Sequence, residues 1–258
     1  MAVLRSHVFN AVFFVWTAIC CIGLLWMLLL PKRGFLAVIR WYLRSLAFFE
    51  RGIIGLDYRV VGREHVPAGA CIIAAKHQST WETMKLHLLF DDPSVVLKRE
   101  LMWLPVWGWY AAKADLIPVN RGGRSKAIAS MVRGARRMVR QHRPIVIFPQ
   151  GTRVAAGVYA PYRIGIAALY DALDVPVVPM ALNSGVFWPR RSHLKRPGTI
   201  TVEFLEPIPP GLPREEFLLR LEHVLERASD RLVVAEGGPA TLAPEARTVD
   251  RSRANAAT

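Results

Sequence analysis

Cysteine is scarce in this chain: three residues in 258, at positions 20, 21 and 71. Cys20 and Cys21 are neighbours inside an apolar run and Cys71 sits in an apolar strand pattern, so no disulfide framework organises the fold. A reducing cytoplasmic setting fits, with all three as small core or lipid-facing residues. Several chemical signatures are also missing. There is no Gly-x-Ser-x-Gly elbow, which argues against a serine hydrolase. There is no His-Glu-x-x-His and no paired Cys-x-x-Cys, so no metal site is expected. The absence of a Gly-x4-Gly-Lys-Ser/Thr loop argues against nucleotide hydrolysis. Acidic residues are in short supply, 20 against 34 Lys and Arg, which leaves a formal charge of +14. A surplus of that size points to an anionic partner: nucleic acid, a phosphate-bearing substrate or an acidic membrane.

What the chain does have is apolar mass. Its hydrophobic fraction is 52%, with 8 Trp and 11 Phe, values that point to contact with lipid. Its length suits one large α/β domain plus a membrane segment, or at most two small domains. Residues 8–31 carry no charge, enough for a spanning helix of about 20 residues and too long for the core of a signal peptide. Lys32, Arg33, Arg40 and Arg44 follow, against Arg5 before the run, and this positive-inside bias places the remainder in the cytoplasm. A second helix is expected over 34–49. At about 100° per residue, Arg33, Arg40, Arg44 and Arg51 share one stripe, with Phe35, Val38, Trp41, Tyr42 and Phe49 around the rest. That pattern fits a helix lying in the membrane interface with its arginines towards lipid phosphates. Residues 1–55 thus read as a membrane anchor, either spanning or turning back as a hairpin. A nucleic-acid binder would interleave its basic residues with exposed aromatics or carry a known module. Here the strongest basic stripe lies beside the apolar anchor, and no nucleic-acid partner is expected.

From residue 56 the pattern changes to short apolar runs at 58–62, 71–75, 95–97, 116–119, 145–148, 175–182 and 200–205. Helix-period segments at 80–90, 126–141, 165–173 and 214–231 lie between them. The alternation predicts an α/β domain over 56–235, a largely parallel or mixed sheet flanked by helices. The tail 236–258, rich in Ala, Pro, Arg and Thr, reads as disordered. In such sheets ligands bind beyond the carboxyl ends of strands, and the polar clusters fall there: Lys76-His77, Asn120-Arg121 and Gln150-Gly151-Thr152-Arg153.

His77 and Glu82 lie five residues apart across an expected strand-to-helix turn. Imidazole has the pKa to take a proton from a hydroxyl, and a carboxylate on its other nitrogen would fix the tautomer. Two roles are open to Glu82, because Ser79-Thr80-Trp81-Glu82 also matches a helix capping box. Gly151 permits close backbone approach to a ligand, Thr152 offers a hydroxyl and an amide, and Arg153 offers a bidentate fork for phosphate.

The ordered set of His-x4-acid, an Arg-ended strand, Phe148-Pro149-Gln150-Gly151-Thr152-Arg153 and Val177-Val178-Pro179 resembles the motifs of the glycerolipid acyltransferase family. Within it the similarity is to the bacterial branch that acylates 1-acylglycerol-3-phosphate (lysophosphatidate), and it covers roughly residues 58–207. The resemblance implies a membrane-bound acyltransferase with His77 as general base and Glu82 as its partner, working without a covalent enzyme intermediate. It further implies that Lys98, Arg121 and Arg153 hold the substrate phosphate while Gly151 and Thr152 line the site. The donor would be an acyl carrier protein or coenzyme A thioester, no cofactor would be needed, and the protein would sit at the bacterial inner membrane facing the cytoplasm. Two departures stand out. Glu82 replaces the family's aspartate, and Gln150 replaces the glutamate before Gly-Thr-Arg. The second bears on the acceptor, so another lysolipid such as lyso-ornithine lipid is the alternative.

Overall fold

The structure, a computed structural model, describes residues 1–120 and 124–240. It begins with a hairpin of helices, α1 (Ala2–Gly23) and α2 (Lys32–Phe49), joined through a 3-10 turn at Leu25–Leu29. The charge-free run therefore does not form one long helix over 8–31. Helix α1 starts earlier and stops at Gly23, and Pro31, whose fixed φ suits a helix start, sets the chain for α2. The Trp16 indole donates to Ser45 Oγ at 2.7 Å, and Thr17 and Tyr42 share a 2.8 Å hydroxyl bond, so the two helices face each other through polar as well as apolar contacts.

The hairpin is built into the domain. Phe9 is fully buried, edge-on to Trp188 at 5.4 Å, a burial that contributes roughly 1.5–3 kcal/mol. The Lys195 amide donates to Ser6 Oγ at 2.9 Å. After α2 a π-helical turn, Glu50–Ile54, ends on Gly55 at φ +74 and delivers the chain to β1 (Leu56–Val61). The arginine stripe of α2 is not given over wholly to lipid. Arg40 donates to the Asp91 carbonyl at 2.9 Å and Arg51 pairs with Asp57 of β1.

The sheet is completed by β2 (Ile72–Ala75), β3 (Ser94–Lys98), β4 (Ile117–Val119), β5 (Ile145–Ile147), β6 (Val177–Leu182) and β7 (Gly198–Phe204). Its order is β1-β7-β6-β2-β5-β3-β4. All neighbours are parallel except β6 and β7, so the expected α/β mixed sheet is the one observed. The central strands β2, β5 and β6 are buried along their whole length, which is why they read as unbroken apolar runs rather than alternating ones.

The helices α3 (Trp81–Leu89), α5 (Arg124–Arg140), α6 (Ile164–Leu173) and α8 (Arg214–Ala235) lie close to their expected places. Two short helices were not expected: α4 (Trp107–Lys113) and α7 (Ser184–Phe187). Helix α3 and the hairpin cover one face of the sheet, around Phe9, Trp81, Leu86 and Leu89. Helices α5, α6 and α8 cover the other, around Met131, Ala135, Ile166 and Leu221. The start of the expected disordered tail is tied down: the Gly238 amide caps α8 on the Val233 carbonyl at 2.9 Å, and Pro239 sits against Gly157. Residues 241–258 lie outside those described.

Candidate functional site

Strands β2 and β5 are adjacent, yet the helices that follow them, α3 and α6, go to opposite faces of the sheet. A crevice opens beyond the carboxyl ends of such a pair. His77 lies at the end of β2, and the Phe148–Arg153 segment lies at the end of β5. Three bonds fix the histidine segment. The Lys76 amide donates to the Met180 carbonyl at 2.9 Å, the Val154 amide to the His77 carbonyl at 2.8 Å, and the Gly185 amide to Gln78 Oε1 at 2.9 Å.

His77 Nδ1 is 2.8 Å from Glu82 Oε1, and Glu82 is fully buried. An ionised carboxylate only accepts, so Nδ1 carries the proton and Nε2 is left as the basic nitrogen. The same Oε1 accepts the amides of Gln78 and Ser79, each at 2.7 Å. The two roles open to Glu82 are thus both present: it makes the back-bond of the capping box and it orients the imidazole. Its second oxygen, Oε2, accepts the Ser184 hydroxyl at 2.7 Å. The Phe148 ring stacks on the imidazole, 4.0 Å between centroids and tilted by 23°.

His77 also lines a cavity of about 920 Å³, large for a small-molecule site. It runs between sheet and hairpin, with Phe13 and Cys20 of α1, Met27 of the turn, Ile39 and Leu43 of α2 and Ala111 of α4 among its walls. Thr80, at the N-cap of α3, and Thr83, Met84, Leu86 and His87 along it line the cavity, most of them on one helical stripe. His87 Nδ1 is buried with no hydrogen-bond partner among the described residues. Burial pushes its pKa down to about 4, so this ring is neutral at neutral pH and suits an apolar wall.

The remaining expected site residues are placed as follows. Lys98, Gly151 and Thr152 line the same cavity as His77. Gly151 has φ +67, a left-handed conformation that suits glycine, and a Cβ there would press on Arg163 at 3.2 Å. Lys98 is 3.5 Å from Glu100. Arg153 donates to Thr80 Oγ1 at 2.6 Å, so its fork is held beside the first turn of α3. Arg121 lies outside the described residues; Asn120 before it lines the cavity. Gln150 is 2% exposed, is not among the lining residues, and neither polar atom of its amide has a partner among the described residues.

Sequence reading missed Ser184, which is 102 residues from Glu82 and marked by no motif. It also missed Arg163 at the cavity wall, a lone arginine before α6. Behind the site, Lys76 pairs with Glu226 at 2.6 Å, and the Tyr162 hydroxyl donates to the same carboxylate at 2.9 Å. Burial and the Glu226 charge push the Tyr162 pKa up, which keeps the hydroxyl protonated as a donor. Among the described residues no group of three or more His, Cys, Asp or Glu side chains is placed to hold a metal.

Fold and site together define an α/β protein that places an oriented histidine in the wall of a largely apolar cavity. Comparison with known proteins makes this specific. An acyltransferase family model matches residues 57–183. A 1-acyl-sn-glycerol-3-phosphate acyltransferase of Pseudomonas aeruginosa is 35% identical over 175 residues, covering 67% of this chain and 68% of that protein. The human 1-acyl-sn-glycerol-3-phosphate acyltransferase beta is 32% identical over 177 residues, covering 67% of this chain and 62% of that protein. The crystal structure of the 1-acyl-sn-glycerophosphate acyltransferase PlsC from Thermotoga maritima superposes with a TM-score of 0.73 over 90% of this chain and 99% of that one, at 18% identity, and shares the fold. The chain belongs to the acyltransferase family.

Proposed function

We propose that this protein is a membrane-bound enzyme that acylates the free hydroxyl of 1-acylglycerol-3-phosphate, giving phosphatidic acid for phospholipid synthesis. The observation that carries the reading is His77, held through Nδ1 by buried Glu82 and lining the same apolar cavity as Lys98 and Arg163. Nε2 takes the proton of the acceptor hydroxyl as its oxygen attacks the thioester carbonyl. The carbon–sulfur bond breaks, and the carrier thiol leaves with a proton. No covalent enzyme intermediate and no cofactor enter this scheme; the acyl carrier protein or coenzyme A thioester is a substrate. The cavity holds the apolar chain, while Lys98, Arg121 and Arg153 attract the acceptor phosphate, with Gly151 and Thr152 against it. Gln150 is given no contact with the acceptor in this scheme, because it is buried and is not among the residues lining the cavity.

The hairpin seats the domain in one leaflet. Its outer surface exposes Phe14, Ile19, Trp26, Trp41 and Phe48, and Trp103 and Trp109 extend the apolar surface beside α4. Tryptophans gather at membrane interfaces. Since the chain turns back at the Leu25–Leu29 turn, residues 1–55 act as a monotopic anchor and the 56–235 domain stays on the cytoplasmic side of the bacterial inner membrane. Relatives named for 1-acyl-sn-glycerol-3-phosphate support the acceptor assignment.

Purified protein offered lysophosphatidate and lyso-ornithine lipid, each with both thioester donors, tests the reading. Lysophosphatidate is the acceptor turned over, and His77→Ala lowers its turnover roughly a hundredfold or more. Turnover of lyso-ornithine lipid alone would replace the acceptor. A fully active His77→Ala protein would remove the mechanism.

A further inference from the structure

Helix α5 carries Arg124, Lys126, Arg133, Arg136, Arg137 and Arg140 and not one acidic residue. Its apolar side, Met131, Ala135 and Met138, is buried against the sheet. Lys126, Arg133, Arg136, Arg137 and Arg140 are exposed on the opposite side. At about 100° and about 1.5 Å per residue, these five form one stripe roughly 21 Å long. Arg137 is paired, with Asp115 at 3.1 Å, whereas Lys126, Arg133, Arg136 and Arg140 have no ion pair among the described residues. A helix face that serves solubility mixes signs, as α8 does with Glu215, Glu222 and Asp230 among its arginines. Cations three and four residues apart on α5 repel one another, and an external anionic surface relieves that repulsion.

The place of the stripe narrows the choice of partner. The hairpin packs on the α3 face of the sheet and α5 on the other, and the two meet where Lys32 of α2 and Arg137 of α5 share Asp115, so the stripe runs along a different face of the sheet from the hairpin. The first turns of α5 reach the cavity, where Ala127, Ile128 and Met131 line the wall that also contains His77 and Thr152. A row of single cations starting at that wall and running away from it matches a partner with carboxylates spread along a helix. The compact phosphate cluster of coenzyme A would cover a small part of it.

We propose that α5 is the docking surface for an acidic acyl carrier protein, which seats there through carboxylates and delivers its thioester to the cavity beside His77. This rests on the acyltransferase reading given above and names its donor.

The test is the triple variant Arg133→Glu/Arg136→Glu/Arg140→Glu in the full chain, assayed against lysophosphatidate with the same acyl group on acyl carrier protein and on coenzyme A. The KM for the carrier-protein thioester should rise tenfold or more with kcat within about twofold, and both constants for the coenzyme A thioester should hold, which also reports that the variant folds. Wild-type KM for the carrier-protein donor should climb with salt. Equal kinetics of wild type and variant with the carrier-protein donor would overturn the proposal, as would an equal rise in KM for both donors. Wild-type turnover with coenzyme A thioester alone would overturn it while leaving the acyltransferase reading intact. Loss of flotation with vesicles of phosphatidylglycerol and phosphatidylcholine, with both donors' kinetics unchanged, would assign the stripe to the membrane instead. Wild type inactive with both donors would defeat the parent reading and the docking with it.

Discussion

Glu82→Gln separates charge from shape at the centre of the site. Glu82 receives four donors: the Gln78 and Ser79 amides at 2.7 Å, His77 Nδ1 at 2.8 Å and the Ser184 hydroxyl at 2.7 Å. A glutamine whose oxygen takes the place of Oε1 keeps the first three. Its NH2 then faces Ser184, whose hydroxyl turns from donor to acceptor. Every contact is retained and the charge alone is lost. For stability, four charge-assisted bonds become neutral ones at a loss of about 1 kcal/mol each, opposed by relief from burying an ion, which costs several kcal/mol. The net change is expected within about 2 kcal/mol, or a Tm shift below about 8 °C for a domain of this size. Catalysis has no such offset, since a neutral amide does not stabilise the imidazolium that forms as the hydroxyl is deprotonated. By analogy with triads that lose their carboxylate, turnover should fall 10²- to 10⁴-fold, about 3–5.5 kcal/mol of barrier. Glu82→Asp keeps the charge but is one methylene shorter, so it cannot satisfy His77 and Ser184 together and should retain partial activity. The assay is initial thiol release with lysophosphatidate in mixed micelles, alongside a thermal melt of each variant. Wild-type turnover in folded Glu82→Gln would reduce Glu82 to a helix cap. An unfolded Glu82→Gln would show that its charge is structural.

Arg153→Ala should raise the acceptor KM by an amount corresponding to about 2–4 kcal/mol, with Lys98→Ala and Arg121→Ala acting in the same direction in acceptor titrations; unchanged kinetics in all three would move the phosphate elsewhere. Lys85 and Glu50, each almost fully buried, pair at 2.7 Å. Lys85→Met should therefore destabilise the fold by about 3–5 kcal/mol through the stranded Glu50 charge, and a melt of Lys85→Met/Glu50→Gln should recover most of it. His87 titrates at 6.5 when unfolded and at about 4 when folded. The unfolded chain binds the extra proton between those values, so stability is lost as pH falls from 6.5 towards 4, by on the order of 3 kcal/mol. His87→Gln should flatten that part of a Tm-against-pH curve, and an unaltered slope would remove His87 as the cause.

How much of this was legible in the sequence depends on how local each feature is. The seven strands were, because the central ones are apolar throughout. His77 and Glu82 were, because a turn of five residues brings them together whatever the rest of the chain does. Helix α4 was missed, since Trp107–Lys113 is under two turns and its Gly108 and two tryptophans give no period. The choice between a spanning helix and a hairpin stayed open in the sequence because Leu25–Leu29 is as apolar as the helix before it, and hydropathy does not register a change of direction. Ser184 and the cavity were out of reach for a different reason. Both arise from segments far apart in sequence, and no spacing rule links α1, α3 and the strand β6 end.

The hairpin supplies wall to the cavity as well as apolar surface to its outside, with Phe13, Thr17 and Cys20 from one helix and Val38, Ile39 and Leu43 from the other. On the function proposed above, attachment and substrate fit are therefore written in the same forty-odd residues. Trimming them to obtain a water-soluble enzyme would unroof the chamber proposed to hold the fatty chain. Exchanging them between relatives would transplant a measure of fatty-chain length with the foothold. Selection for a bilayer of different composition could retune which chains are accepted without a single change near His77.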